Sequence, residues 1–170
     1  MLSVRLFGSP ALHSAGRPLV LPRRKSRALV FYLAAQGQPV RRETLLALFW
    51  PAAERAAAQQ TLRTSLHGLR KALGPALVSD DEALALAPEV EVDAQQLEAG
   101  LRAPVDRAAL AATLSLYRGD FLAGFELPDA PAFDEWAAAQ RERFRRLAIR
   151  GLTALSAQHE TAQDYPAALA

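Results

Sequence analysis

AQQTLRTSLHGLRKALG, residues 58–74, reads as one amphipathic helix. Leu62, Leu66, Leu69 and Leu73 recur at helical spacing and form a single apolar stripe. At about 100° per residue, Gln60, Thr64, His67 and Lys71 fall on the opposite side, with Arg63 and Arg70 at its flanks. Ordinary solvated helix faces mix acids with bases, because opposite charges four residues apart stabilise one another. This face has no acid. Its side chains are donors of the kind that reach base edges (Arg, Lys, Gln) or phosphates (Arg, Lys, Thr, His). Gly74 is expected to end the helix in the left-handed C′ conformation.

The charge distribution points the same way. Residues 1–75 hold twelve Arg and Lys but only two acids, Glu43 and Glu54, for a net charge of +10; the remainder carries −8, which leaves the modest total of +2. Such asymmetry suggests an anionic partner for the front half alone and a composition boundary near residues 75–92. With 170 residues, 51% of them hydrophobic, the chain can fold as one or two small domains. It has no cysteine, so disulfides, thiol chemistry and zinc fingers are excluded. His13, His67 and His159 are widely spaced, so no metal site and no cofactor is expected. No apolar run approaches the length of a membrane span and no signal-peptide layout opens the chain, so the expectation is a soluble cytoplasmic protein.

Outward from the basic helix, the front half spells the order of a winged helix-turn-helix. Residues 2–7 (LSVRLF) alternate as a strand up to Gly8-Ser9-Pro10, and 18–21 (PLVL) form a second short strand. Lys25 to Gln36 is helical, stopped by Gly37; Gln38-Pro39-Val40 is an extended link; Glu43 to Trp50 is a second helix, stopped by Pro51. Beyond the basic helix (about 56–73), 76–79 and 83–87 flank Asp80-Asp81-Glu82 as a hairpin. In this arrangement the third helix enters the major groove and the hairpin lies along the backbone. The back half is helical, with helices from Asp93 to Leu101, Asp106 to Tyr117, and Pro131 to about Gln163 after an Asp129 cap. A further helix begins at 164–169. Arg118-Gly119-Asp120 is a helix stop, Trp50 and Trp136 belong to the core, and Arg141, Arg143, Arg145 and Arg146 form a solvated or partner-facing side. The fold class is therefore mixed: an α+β winged helix-turn-helix domain (1–90) followed by an all-α, tetratricopeptide-like domain (91–170).

The sequence resembles the SARP-type bacterial transcriptional activators, which join an OmpR/PhoB-type winged helix to a bacterial transcriptional activator domain. The matching stretches are VRLFGSP (4–10), PRRKSRALVFYLAAQGQPV (22–40), RRETLLALFWP (41–51) and LRTSLHGLRKALG (62–74) in the front half. VEVDAQQLE (90–98), LYRGDFLAGF (116–125) and FDEWAAAQRERF (133–144) match in the back half. The resemblance implies a sequence-specific regulator of transcription, an activator, that binds double-stranded DNA. It further implies dimers on direct repeats, and contact with RNA polymerase through the loop between helices two and three. Carried over by position, Gln60, Arg63, Thr64, His67 and Lys71 face DNA, and Arg24, Lys25, Arg41 and Arg42 contact phosphates. The sequence departs from the pattern in two ways. The hairpin tip is acidic, where a minor-groove wing would profit from Arg or Lys. The chain also stops within the second domain, as a shortened member or a piece of a longer regulator would. No phosphate-binding GxxxxGK[ST] motif occurs, and no nucleophile, base or metal ligands converge at a telling spacing, so an enzyme is not expected. The alternative reading is a helical adaptor that binds proteins without DNA.

Overall fold

The computed structural model describes residues 1–102 and 106–161, the side chains as far as residue 158. Pro104 and the helix expected at 164–169 lie outside the described residues. Strand β1 (Leu2–Arg5) pairs antiparallel with β2 (Ala11–Ser14), which pairs with β3 (Arg17–Pro18). Only Pro18 of the expected 18–21 strand lies in the sheet. The chain leaves it as Leu19 N–H donates to Leu12 O (2.8 Å) and Leu21 turns into the core. Helix α1 (Arg24–Gln36) ends at Gly37, whose φ of 63° and N–H bond to Leu33 O form the left-handed cap that a Cβ would disfavour.

Val40 and Arg41 are more than a link. They form strand β4, followed at once by α2 (Arg42–Phe49). Helix α3 (Arg55–Leu73) holds the basic face. It ends at Gly74 with φ 56° and ψ −131°, a glycine-dependent conformation but not the αL geometry expected, and leads into a 3-10 turn (Gly74–Ala76). The hairpin of β5 (Leu77–Ser79) and β6 (Ala83–Leu86) then pairs with β4 in a sheet of order β4-β6-β5. This is the wing. Finally β7 (Glu91–Val92) runs parallel to β1 and completes a sheet of order β3-β2-β1-β7. Residues 91–92, just past the expected end of the first domain at residue 90, thus belong to the front sheet.

The back half is α4 (Asp93–Arg102), α5 (Arg107–Leu114) and α6 (Pro131–Thr161). Asp106 caps α5 by accepting from Ala109 N–H (2.8 Å). The helix closes three residues before the expected Tyr117, because Leu116 and Tyr117 N–H bond the Thr113 and Leu114 carbonyls in tighter i→i+3 turns. Gly100 lets α4 approach α5 closely, since a Cβ there would meet the β-branched Thr113 side chain at 2.5 Å. The architecture is a winged helix-turn-helix followed by helices.

One core runs through both halves. From the front come Phe7, Phe31, Tyr32 and Phe49; from the back Phe121, Phe125, Phe133 and Phe144. Phe121 stacks on Phe144 (ring centroids 5.3 Å) and meets Phe7 edge-on, while Phe125 meets Phe31 and Trp136 meets Tyr32. Offset and edge-to-face pairs of this kind add about 0.5–1.5 kcal/mol each beyond the apolar area they bury. Leu6 and Gly8 form backbone bonds to Leu122, Asp120 and Ala123. Gly119 is part of that crossing, for a Cβ there would press against Gly8 Cα at 3.3 Å.

Asp93 ties the seam from the polar side. Its buried carboxylate accepts from Leu6 N–H (2.8 Å), Phe7 N–H (3.2 Å) and Ala94 N–H (2.9 Å). Leu6 and Phe7 continue past the end of β1, so without Asp93 these two buried donors lose their acceptor. Asp93→Asn keeps one acceptor oxygen but turns an amide NH2 toward a backbone N–H. It should cost about 1–3 kcal/mol of unfolding free energy. Denaturant titration at neutral pH measures this, and an unchanged midpoint would contradict the role assigned to the carboxylate.

Candidate nucleic-acid interface

Sequence alone leaves open whether the polar face of α3 is covered, and the structure settles this. Leu62, Leu66, Leu69 and Leu73 are buried, whereas Gln60, Arg63, Thr64, His67 and Lys71 are all exposed. Gln60, Thr64, His67 and Lys71 stand three or four residues apart, with Arg63 at their flank, so they share one side of a helix about 28 Å long. The Thr64 hydroxyl donates to Gln60 O (3.0 Å), which leaves the hydroxyl oxygen able to accept a further hydrogen bond. Arg70, at the flank, donates to Ser79 Oγ (2.6 Å) and thereby holds the wing against α3.

Both acids of the first 75 residues are taken up by structure at the edge of this face. Glu54 caps α3, accepting from Ala56 N–H (2.9 Å) and Ala57 N–H (3.2 Å), which holds its carboxyl below the ordinary range. Glu43 pairs with Arg55 at 2.7 Å. Neither acid of the first 75 residues therefore lies on the exposed side of α3 itself.

The four expected phosphate contacts divide. Arg41 is exposed at the N-terminus of α2, beside the wing. Arg42 is committed elsewhere. Its guanidinium donates twice to Asp80 O (3.0 and 2.6 Å) and its N–H to Glu82 O (2.8 Å), which fastens the hairpin turn to α2. Lys25 makes an ion pair with Asp129 (2.7 Å) and lies over the Trp50 ring, its side chain only 19% exposed. Arg24 donates to Glu126 O and sits over Phe125. Arg24 and Lys25 thus lie at the seam with the segment that leads into α6. Asp129, expected as the α6 cap, serves Lys25 instead, and Asp134 in the first turn accepts from Leu127 N–H (2.8 Å).

A cleft of about 480 Å³ opens between α2, α3 and the wing tip. Gln59 and Arg55 line it together with Arg63, one stripe at i, i+4 and i+8 along α3. The sequence reading missed Gln59; its spacing from Arg63 was the available signal. The basic cluster on α6 is consumed internally. Arg141 donates to the Phe121, Leu122 and Phe125 carbonyls, Arg143 pairs with Glu98, Arg145 with Asp120 and Arg146 with Glu142.

The chain has the fold of EmbR. That structure, Mycobacterium tuberculosis EmbR in complex with a low-affinity phosphopeptide, superposes with a TM-score of 0.67 at 21% identity, over 97% of this chain and 51% of its own. The chain therefore spans about half the length of EmbR. The EmbR likeness covers winged helix and helices together, so their combination in one architecture is shared. No family model and no curated protein sequence matches the chain. Among the described residues no helix is long and apolar enough to cross a membrane.

Proposed function

We propose that this protein is a transcription regulator that binds double-stranded DNA sequence-specifically, with α3 in the major groove. The observation that carries the reading is the exposed, acid-free side of α3 bearing Gln60, Arg63, Thr64, His67 and Lys71. An α-helix fits that groove, and Arg, Lys and Gln carry the donors that distinguish base edges there. Arg41 supplies a phosphate contact beside it, while Arg24, Lys25 and Arg42 serve internal contacts first. The shared fold with EmbR, a SARP-family regulator, supports the class.

On this reading residues 1–90 read DNA and 91–170 form the regulatory part, whose net negative charge keeps it off the duplex. Self-association through the helices and contact of the loop between α2 and α3 with RNA polymerase complete the proposal for an activator. The test is binding of random duplex across a salt series, followed by selection of bound sequences. Log affinity should fall with log salt at a slope of about −3 or steeper, at roughly −0.9 per phosphate neutralised. A flat series, or no shift at low salt, would favour the protein-only adaptor.

A further inference from the structure

The wing tip carries charge of the wrong sign for a wing that grips DNA. Asp80 has an internal reason to be acidic: its Oδ1 accepts from Glu82 N–H (2.8 Å) and Ala83 N–H (2.7 Å) and so closes the turn. Asp81 and Glu82 have none. Both are exposed, both border the cleft between α2, α3 and the wing, and neither has an ion-pair partner within 4 Å among the described residues. Of the four arginines around that cleft, Arg55 is paired with Glu43 and Arg42 holds the Asp80 carbonyl. Arg41 and Arg63 are the two left to the solvent, and they line the same cleft as the two unpaired carboxylates. The four arginines and three carboxylates lining the cleft thus sum to only +1, although it lies in the most basic half of the chain.

We infer that Asp81 and Glu82 are specificity determinants: they cancel the field of Arg41 and Arg63 toward an unselective polyanion, so that random duplex is held weakly. The inference rests on the reading of α3 as the DNA-binding element and adds the way its selectivity is set. Phosphate attraction is sequence-independent and supplies nearly all non-specific affinity, whereas base-edge contacts form only in register. An acidic tip therefore opposes every duplex at the encounter. On the cognate site part of that opposition is offset, because Arg63 is engaged by a base at short range. The two arms are held in fixed register, since Arg42 and Arg70 fasten the wing to α2 and α3. The tip cannot simply swing away.

The test is Asp81→Asn with Glu82→Gln in the full chain, leaving Asp80 to close the turn, with thermal unfolding to establish that the fold is kept. Affinities for random duplex and for a site selected with the wild-type protein are measured across a salt series. Random-duplex affinity should rise about fivefold to tenfold at low salt, on the scale of two exposed charges, and converge with wild type as salt screens them. The selected site should gain less, so the ratio of specific to random binding falls. Random affinity that stays unchanged, or a rise by one common factor on both duplexes, overturns the inference while leaving DNA binding intact. A wild-type chain that binds no duplex at any salt overturns both.

Discussion

Replacing Gln60, Arg63 and Lys71 together by alanine should abolish sequence discrimination, while random-duplex affinity falls only by about fivefold to tenfold at low salt for the two cations removed. Each good contact to a base edge discriminates by about 1–3 kcal/mol. Three of them lost together amount to at least about a hundredfold in the ratio of selected-site to random affinity, with Arg63→Ala alone taking the largest share. All three side chains are exposed, so the substitutions remove no packing, and the apolar stripe beneath them is untouched. Helix stability should hold too, since alanine is the best helix former. Competition binding with both duplexes reads the ratio directly. Equal losses on the two would show that these residues supply charge and not base recognition.

The second large effect concerns the fold. Phe121 is fully buried between Phe7, Trp136 and Phe144, and its backbone O takes the Arg141 guanidinium. Phe121→Ala should cost about 3–5 kcal/mol, the usual toll for a truncated core aromatic. That is a large part of the 5–15 kcal/mol typical of a natural domain. Because its neighbours belong to both halves, the loss should lower one common transition. Denaturant unfolding followed by tryptophan fluorescence and far-UV circular dichroism gives the check, and two separated transitions in the wild type would refute a shared core. Both tryptophans serve as reporters, since Trp50 and Trp136 pack against that core.

Sequence legibility followed the range of the interactions. Helices α1, α2 and α3 and the hairpin were readable from local periodicity and caps, within a few residues at each end. Which side of α3 carries Gln60, Arg63, Thr64, His67 and Lys71 was readable too, because the leucine stripe fixes the opposite side; that nothing covers it came from the structure. Strand β2 was not: of its four residues only Leu12 is buried, too short an alternation to register. Strands β4 and β7 have two residues each, and β7 exists only because β1 lies beside it from nearly ninety positions away. The same distance hid the partners of charge. Asp93 reads locally as a helix opener, yet its carboxylate holds Leu6 and Phe7. Lys25 reads as a free cation until Asp129 arrives beside it. A charge count locates the basic half; it cannot say which of its cations are already engaged.

Helix α6 contacts the front helices and the α4–α5 pair without interruption. Phe133 and Trp136, near its start, lie against Phe49 and Tyr32 of the front helices, while Gly151 nests against Leu114 and Leu101. Those two points are about 27 Å apart along the axis. One unbroken helix thus braces the front helices α1 and α2 against the α4–α5 pair, so the two halves share a single rigid strut.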